Sequence, residues 1–103
     1  MTPVRPEAVA AIRALDESAA PRSYWRVRWE DDGSDWYVET VNDSGRERPV
    51  KQLVVDSFGL RYRYWWGHLE DEAGFLDDQP VDPSLARVEP IEAQAFLKRW
   101  HDG

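Results

Sequence analysis

Cysteine is absent from this chain of 103 residues, which excludes disulfides, thiolate metal centres and cysteine nucleophiles together. Histidine is scarce: His68 and His101 are the only two. The phosphate-cradling G-x-x-x-x-G-K-[ST], the dinucleotide fingerprint G-x-G-x-x-G and the zinc motif H-E-x-x-H are all missing, so the sequence names no cofactor. No window approaches the ~20 apolar residues needed to span a bilayer. The opening MTPVRPEAVAAIRALDE carries acids and arginine where a signal peptide needs an unbroken apolar stretch. With the missing cysteines, this gives the expectation of a cytoplasmic protein. Positive charge is in deficit, 13 bases against 20 acids for a net charge of −7, so the chain as a whole repels polyanions.

Aromatic residues are plentiful, with six Trp, four Tyr and three Phe. Large rings bury roughly 150 to 250 Å² apiece, enough for a single domain over 1–103. A chain of this length buries roughly 60 to 65% of its unfolded surface. The bases Arg22, Arg26, Arg28, Arg46, Arg48, Lys51, Arg61 and Arg63 precede a stretch with Glu70, Asp71, Glu72, Asp77, Asp78 and Asp82 and no base. That asymmetry is the main electrostatic clue, and a solvated acidic loop is its simplest explanation.

Along the chain, Pro3 and Pro6 suit a helix's first turn, and Ala8, Ile12, Leu15 and Ala19 recur at helical spacing before Pro21. From Tyr24 the period becomes two. YWRVRWE sets Trp25, Val27 and Trp29 on one face, and Tyr24, Arg26, Arg28 and Glu30 on the other. DDGSD is a turn cluster, DWYVETV a second strand, NDSGRERP a loop and VKQLVV a third strand; after DSFG comes LRYRYWW. Connections this short leave no space for crossover helices. The sequence predicts an α+β fold: an antiparallel meander of four strands, five if ARVEPI adds an edge, with N- and C-terminal helices on one face. The last helix follows from Ala93, Phe96, Leu97 and Trp100, opening near Pro90 and closing at Gly103. The expected buried set is Trp25, Val27, Trp29, Trp36, Val38, Leu53, Val55, Tyr62, Tyr64 and Trp66, with both helices packed on it and Trp100 touching the tryptophans. Trp65 is the exception, since it shares the phase of Arg61 and Arg63.

Three groups of residues could carry chemistry. His68 beside Glu70 or Asp71 could be a general base with an orienting carboxylate, or simply a loop histidine; His101 is explained by the dipole of its helix. Asp31, Asp32 and Asp35, or Asp77, Asp78 and Asp82, could gather a hard cation. Neither set has the register of a calcium loop, and turn formation explains both, so no metal is expected. Tyr24, Arg26, Arg28, Tyr37, Arg61, Arg63 and Trp65 could form an open stacking platform for a nucleotide or small ligand, bordered by His68. Against it stands cross-strand pairing of the arginines with Glu30 and Glu39 beneath a covering helix. The net charge of −7 also opposes a nucleic-acid partner.

From about Tyr24 to Trp100, YWRVRWEDD, RPVKQLVV leading to Gly59, GFLDDQPVD and IEAQAFLKRW together resemble a bacterial family of small single-domain proteins, classed as a domain of unknown function. The resemblance implies a small α+β fold and no assigned activity, with immunity or partner-binding roles suspected for such proteins. Residues 1–21 and the aromatic YRYWWGH depart from its pattern. The combined reading is a non-catalytic module for a basic protein partner. Its recognition edge is Glu70, Asp71, Glu72, Phe75, Asp77 and Asp78 with Trp65 at the border, apolar anchors in a charged rim.

Overall fold

The computed structural model describes residues 6–102. The expectations resting on Pro3 and Gly103 lie outside them. Strand alternation begins slightly earlier than the sequence suggests. β1 spans Arg22–Trp29, β2 Ser34–Asp43, β3 Arg46–Val55 and β4 Arg61–Tyr64, flanked by α1 over Pro6–Glu17 and α2 over Ala93–His101. β5, Val88–Pro90, is the edge strand offered by ARVEPI, and the antiparallel order is β4-β3-β2-β1-β5. The stretch NDSGRERP, expected as a loop, is mostly strand. Its turn is only Ser44 and Gly45, with φ of 54° and 87°, the left-handed pair of a two-residue hairpin. Gly33, at φ 72°, serves the β1–β2 turn, where an added Cβ would lie 3.2 Å from the Cβ of Ser57.

Directly paired residues of an antiparallel sheet share a face. Tyr24↔Glu39, Arg26↔Tyr37 and Leu53↔Arg63 therefore define one face, and Trp25↔Val38, Val27↔Trp36 and Gln52↔Tyr64 the other. Both helices pack on the first face. Its core is Tyr37, Leu53 and Phe96, with Tyr24, Val55, Ile91 and Trp100 against it, and the rings of Tyr24 and Phe96 lie 5.4 Å apart. α1 is held electrostatically. Lys51 Nζ donates to Asp16 Oδ1 at 2.8 Å, and Arg22 bridges Asp16 and the buried Glu39. Burial alone would raise the Asp16 carboxyl, but its bonds from Lys51 and Arg22 outweigh this and lower it below the usual range.

This corrects the expected core. The helices cover the face of Tyr24 and Arg26, not that of Trp25, Val27 and Trp36, and Leu53 and Val55 belong with the helices. The reason is steric: two single-stripe helices cover one face, and Phe96 meets Tyr37 and Leu53 there. Trp25, Trp29, Trp36 and Trp66 are half-buried. Trp100 meets Trp65 and Phe96, at 6.0 and 5.9 Å between centroids. Trp66 lies in the turn after β4, where Arg13 of α1 sits 4.7 Å from its ring. The tryptophan face is roofed by irregular chain: the segment between β4 and β5 passes the edge of β3, where the N–H of Val81 donates to the carbonyl of Glu47, and crosses to pair beside β1. Leu76 is the roof's buried plug. No helix among the described residues is long and apolar enough to cross a membrane.

Candidate functional site

The roof is ordered by polar side chains placed one per turn. Gln52, 1% exposed, points from β3 into the roof: its Nε2 donates to the carbonyl of Phe75 at 3.2 Å, and its Oε1 accepts the N–H of Asp77 at 3.0 Å. An amide side chain thus substitutes for a strand neighbour. Further up the chain, Asp71 Oδ1 accepts the Tyr64 hydroxyl at 2.9 Å and the N–H groups of Ala73 and Gly74 at 2.8 and 3.1 Å. Its Oδ2 lies 3.0 Å from His68 Nε2. The bond from His68 is foremost in lowering the Asp71 carboxyl to about 2, overcoming burial with help from Tyr64 and the two amides. Burial, then the bond to Asp71, pushes the Tyr64 phenol up. The close fit uses a glycine: a Cβ on Gly74 would stand 3.3 Å from the Tyr64 hydroxyl.

The expected recognition residues therefore have different roles. Asp71 is engaged inside the loop. The Asp77 backbone is held by Gln52, and its Oδ1 accepts the N–H of Gln79 at 3.0 Å. Glu70, Glu72 and Asp78 are exposed. Phe75 holds its side chain 59% exposed above a clamped backbone. Trp65 is half-buried, edge-on to Trp100 on the helix side.

His68, Trp65 and Asp71 do converge. The imidazole stacks on Tyr64 with centroids 5.8 Å apart at 15°, and lies 5.8 Å from Trp65. The two clefts beneath the roof are lined by other residues. The chemistry this cluster performs visibly is loop closure: an acceptor carboxylate surrounded by four donors.

The arginine face is not an open platform, because α2 lies over it. Arg26 pairs with Asp35 at 3.1 Å and Glu89 at 3.8 Å, and the more exposed Arg28 with Glu89 at 3.7 Å. Arg63 donates through Nε to the carbonyl of Trp100 at 2.8 Å, and Arg61 to that of Asp102 at 3.0 Å. Both guanidiniums satisfy carbonyls left open at the end of α2. Tyr24 lies under Phe96. In the two acidic clusters Asp32 accepts from Ser34, Asp82 from Ser84, Asp77 from Gln79 and Asp35 from Arg26. Among the described residues no group of three or more His, Asp or Glu is placed to hold a metal ion.

Sequence reasoning missed the two clefts. One, of about 360 Å³, is lined by Trp36, Tyr62, Tyr64, Phe75, Asp32 and Asp56 among others, with no base. The other, of about 130 Å³, lies between β1, β2 and the crossing segment. The available signal was Trp29 and Trp36 alternating on a face that no helix remained to cover. No family model matches the chain, and neither a curated protein nor a solved structure matches it. The resemblance drawn above rests on the residues quoted for it.

Proposed function

We propose that this chain is a non-catalytic protein-binding module whose partner is basic, with Phe75 as its anchor. The observation that carries the reading is the contrast at that residue: an exposed aromatic ring on a backbone fixed by Gln52. A pre-ordered aromatic loses little freedom on binding, and interfaces concentrate their energy in such anchors. Glu70, Glu72 and Asp78 form a charged rim around it. The cleft beside it, with aromatic walls and only carboxylates among its charged groups, suits a lysine or arginine side chain of the partner. Asp71 and Asp77 order the loop. Trp65, fixed against Trp100, borders it.

The charge reversals that test this spare the ordering residues. Glu70→Lys, Glu72→Lys and Asp78→Lys together change the rim without touching a described hydrogen bond of Asp71 or Gln52. Affinity capture from the native host with parent and triple variant should yield a protein that the parent retains at low salt and the variant loses. A partner retained equally by both places the interface elsewhere.

A small-ligand reading has support from one separate observation, the apolar cleft of about 130 Å³ beneath the roof.

A further inference from the structure

The cleft beside Phe75, of about 360 Å³, is built across three strands. Trp36, Val54 and Tyr62 stand in register on β2, β3 and β4 and form its floor, with Gln52 and Tyr64 the next pair along that face. Phe75 and the two residues before it line it from the roof. Trp36 and Tyr62 are only half-buried and Phe75 is exposed, so a solute can reach these rings.

One end of the cleft is acidic. The β1–β2 and β3–β4 turns pack together, since a Cβ on Gly33 would stand 3.2 Å from that of Ser57, and this brings Asp32 and Asp56 to the same lining. Each carboxylate uses its Oδ1 on its own turn: Asp32 accepts the N–H and hydroxyl of Ser34, and Asp56 accepts the N–H groups of Phe58 and Leu60. The second oxygens have capacity to spare. Asp56 Oδ2 accepts only the Tyr62 hydroxyl, at 3.4 Å, and Asp32 Oδ2 has no hydrogen-bond partner among the described residues. Neither carboxylate forms an ion pair among those residues, and no base lines the cleft. The chain's described cation–π contacts are on Trp29, Tyr37 and Trp66, none of them rings of this cleft. Aromatic walls and two unpaired anions thus face a space that the chain's own bases leave without a cation.

Among the cations a polypeptide carries, guanidinium suits such a lining best. It is planar and lies flat on a ring, it is more weakly hydrated than an ammonium, and its N–H donors match carboxylate oxygens. We propose, relying on the protein-binding reading above for the carrier, that this cleft takes an arginine side chain of the basic partner, its guanidinium against Trp36 or Tyr62 and its N–H groups toward Asp32 and Asp56.

The test is titration of the full chain with four capped pentapeptides, glycine throughout except for a central arginine, citrulline, lysine or trimethyllysine, followed on the Trp36 indole N–H and the backbone N–H resonances of Gly74 and Phe75. Citrulline keeps the shape of arginine without its charge, and trimethyllysine keeps a charge without donors. The arginine peptide should move these signals saturably, binding roughly tenfold tighter than citrulline and about threefold tighter than either lysine form. Asp32 is exposed, and Asp32→Asn retains an oxygen for Ser34, so the variant should keep the fold. It should weaken the arginine peptide roughly fivefold and the citrulline peptide less than about twofold. No saturable movement with arginine, equal binding of any other peptide, an arginine affinity unchanged by Asp32→Asn, or movement confined to signals away from the cleft overturns the proposal. The titration needs no partner, so it fails or succeeds apart from the capture experiment: arginine binding with a partner retained by the rim variant keeps the cleft and removes the rim, and the opposite pair of results keeps the rim and removes the arginine.

Discussion

Gln52 holds Phe75 from beneath: its side-chain amide donates to the Phe75 carbonyl at 3.2 Å, while its oxygen receives the Asp77 N–H at 3.0 Å. The same pair of bonds closes the roof over the sheet's second face and fixes the ring at the centre of the proposed interface. Gln52→Leu would leave a carbonyl and an N–H without partners. Each such loss costs about 1 to 3 kcal/mol when buried. Chemical denaturation should show a total loss of about 2 to 6 kcal/mol, and amide exchange should rise at residues 73–79 while β1 and β2 stay protected. Unchanged exchange in the loop would show that Gln52 does not order it.

The terminal helix depends on one ring more than on any other. Phe96 is fully buried between Tyr24, Tyr37 and Leu53, and Phe96→Ala should cost about 3 to 5 kcal/mol, the range for removing a large ring from a core. Trp100 keeps part of its surface in water and stacks on Phe96, so Trp100→Ala should cost less than Phe96→Ala. Thermal and urea unfolding of the two variants checks the order. A larger loss at Trp100 would make the Trp65 contact the principal attachment.

Asp71 gives the acid side of the pH profile a specific source. Its folded pKa is depressed, from 3.8 to about 2, so its contribution is present above the unfolded value and lost as pH falls through the folded one. The loss should run from about pH 5 down to about pH 1. Tyr64 works in the opposite direction: its folded pKa is raised above 10.0, so its contribution is present below that value and is lost as pH rises beyond it. Asp71→Asn should flatten the acid limb measured by denaturation between pH 5 and pH 2. A limb as steep in the variant as in the parent would assign acid sensitivity to another carboxylate.

The meander, the edge strand and both helices were readable because periodicity reports a chain's local geometry. Tyr24 to Glu30 alternates as a strand does, and Ala93 to Trp100 as a helix does. Which face receives the helices was not readable. The two faces of β1 and β2 are both rich in aromatics, so alternation alone leaves Trp25 and Tyr24 equally eligible for the core. The choice depends on Phe96 finding Tyr37 and Leu53, residues 43 and more positions away in sequence. Residues 65–87 were legible as acidic and irregular but not as a roof, since their order comes from single side chains: Gln52, Asp71 and the glycine at 74. The separation of Asp71, bonded to Tyr64, Ala73 and Gly74, from Glu70 and Glu72, which have no such bonds, has no sequence signal apart from the glycine three residues after Asp71.

Association kinetics of the captured basic partner, measured with the parent chain and with Phe75→Ala at low and high salt, test the central claim most directly. Phe75 is exposed, so the variant should keep the parent's circular dichroism and stability within about 0.5 kcal/mol. An anchor residue is worth about 2 kcal/mol or more. The account predicts dissociation faster by roughly 30-fold in the variant, with an association rate that falls with salt in both proteins because the rim acids remain. An affinity unchanged by Phe75→Ala, or an association rate indifferent to salt, would contradict it.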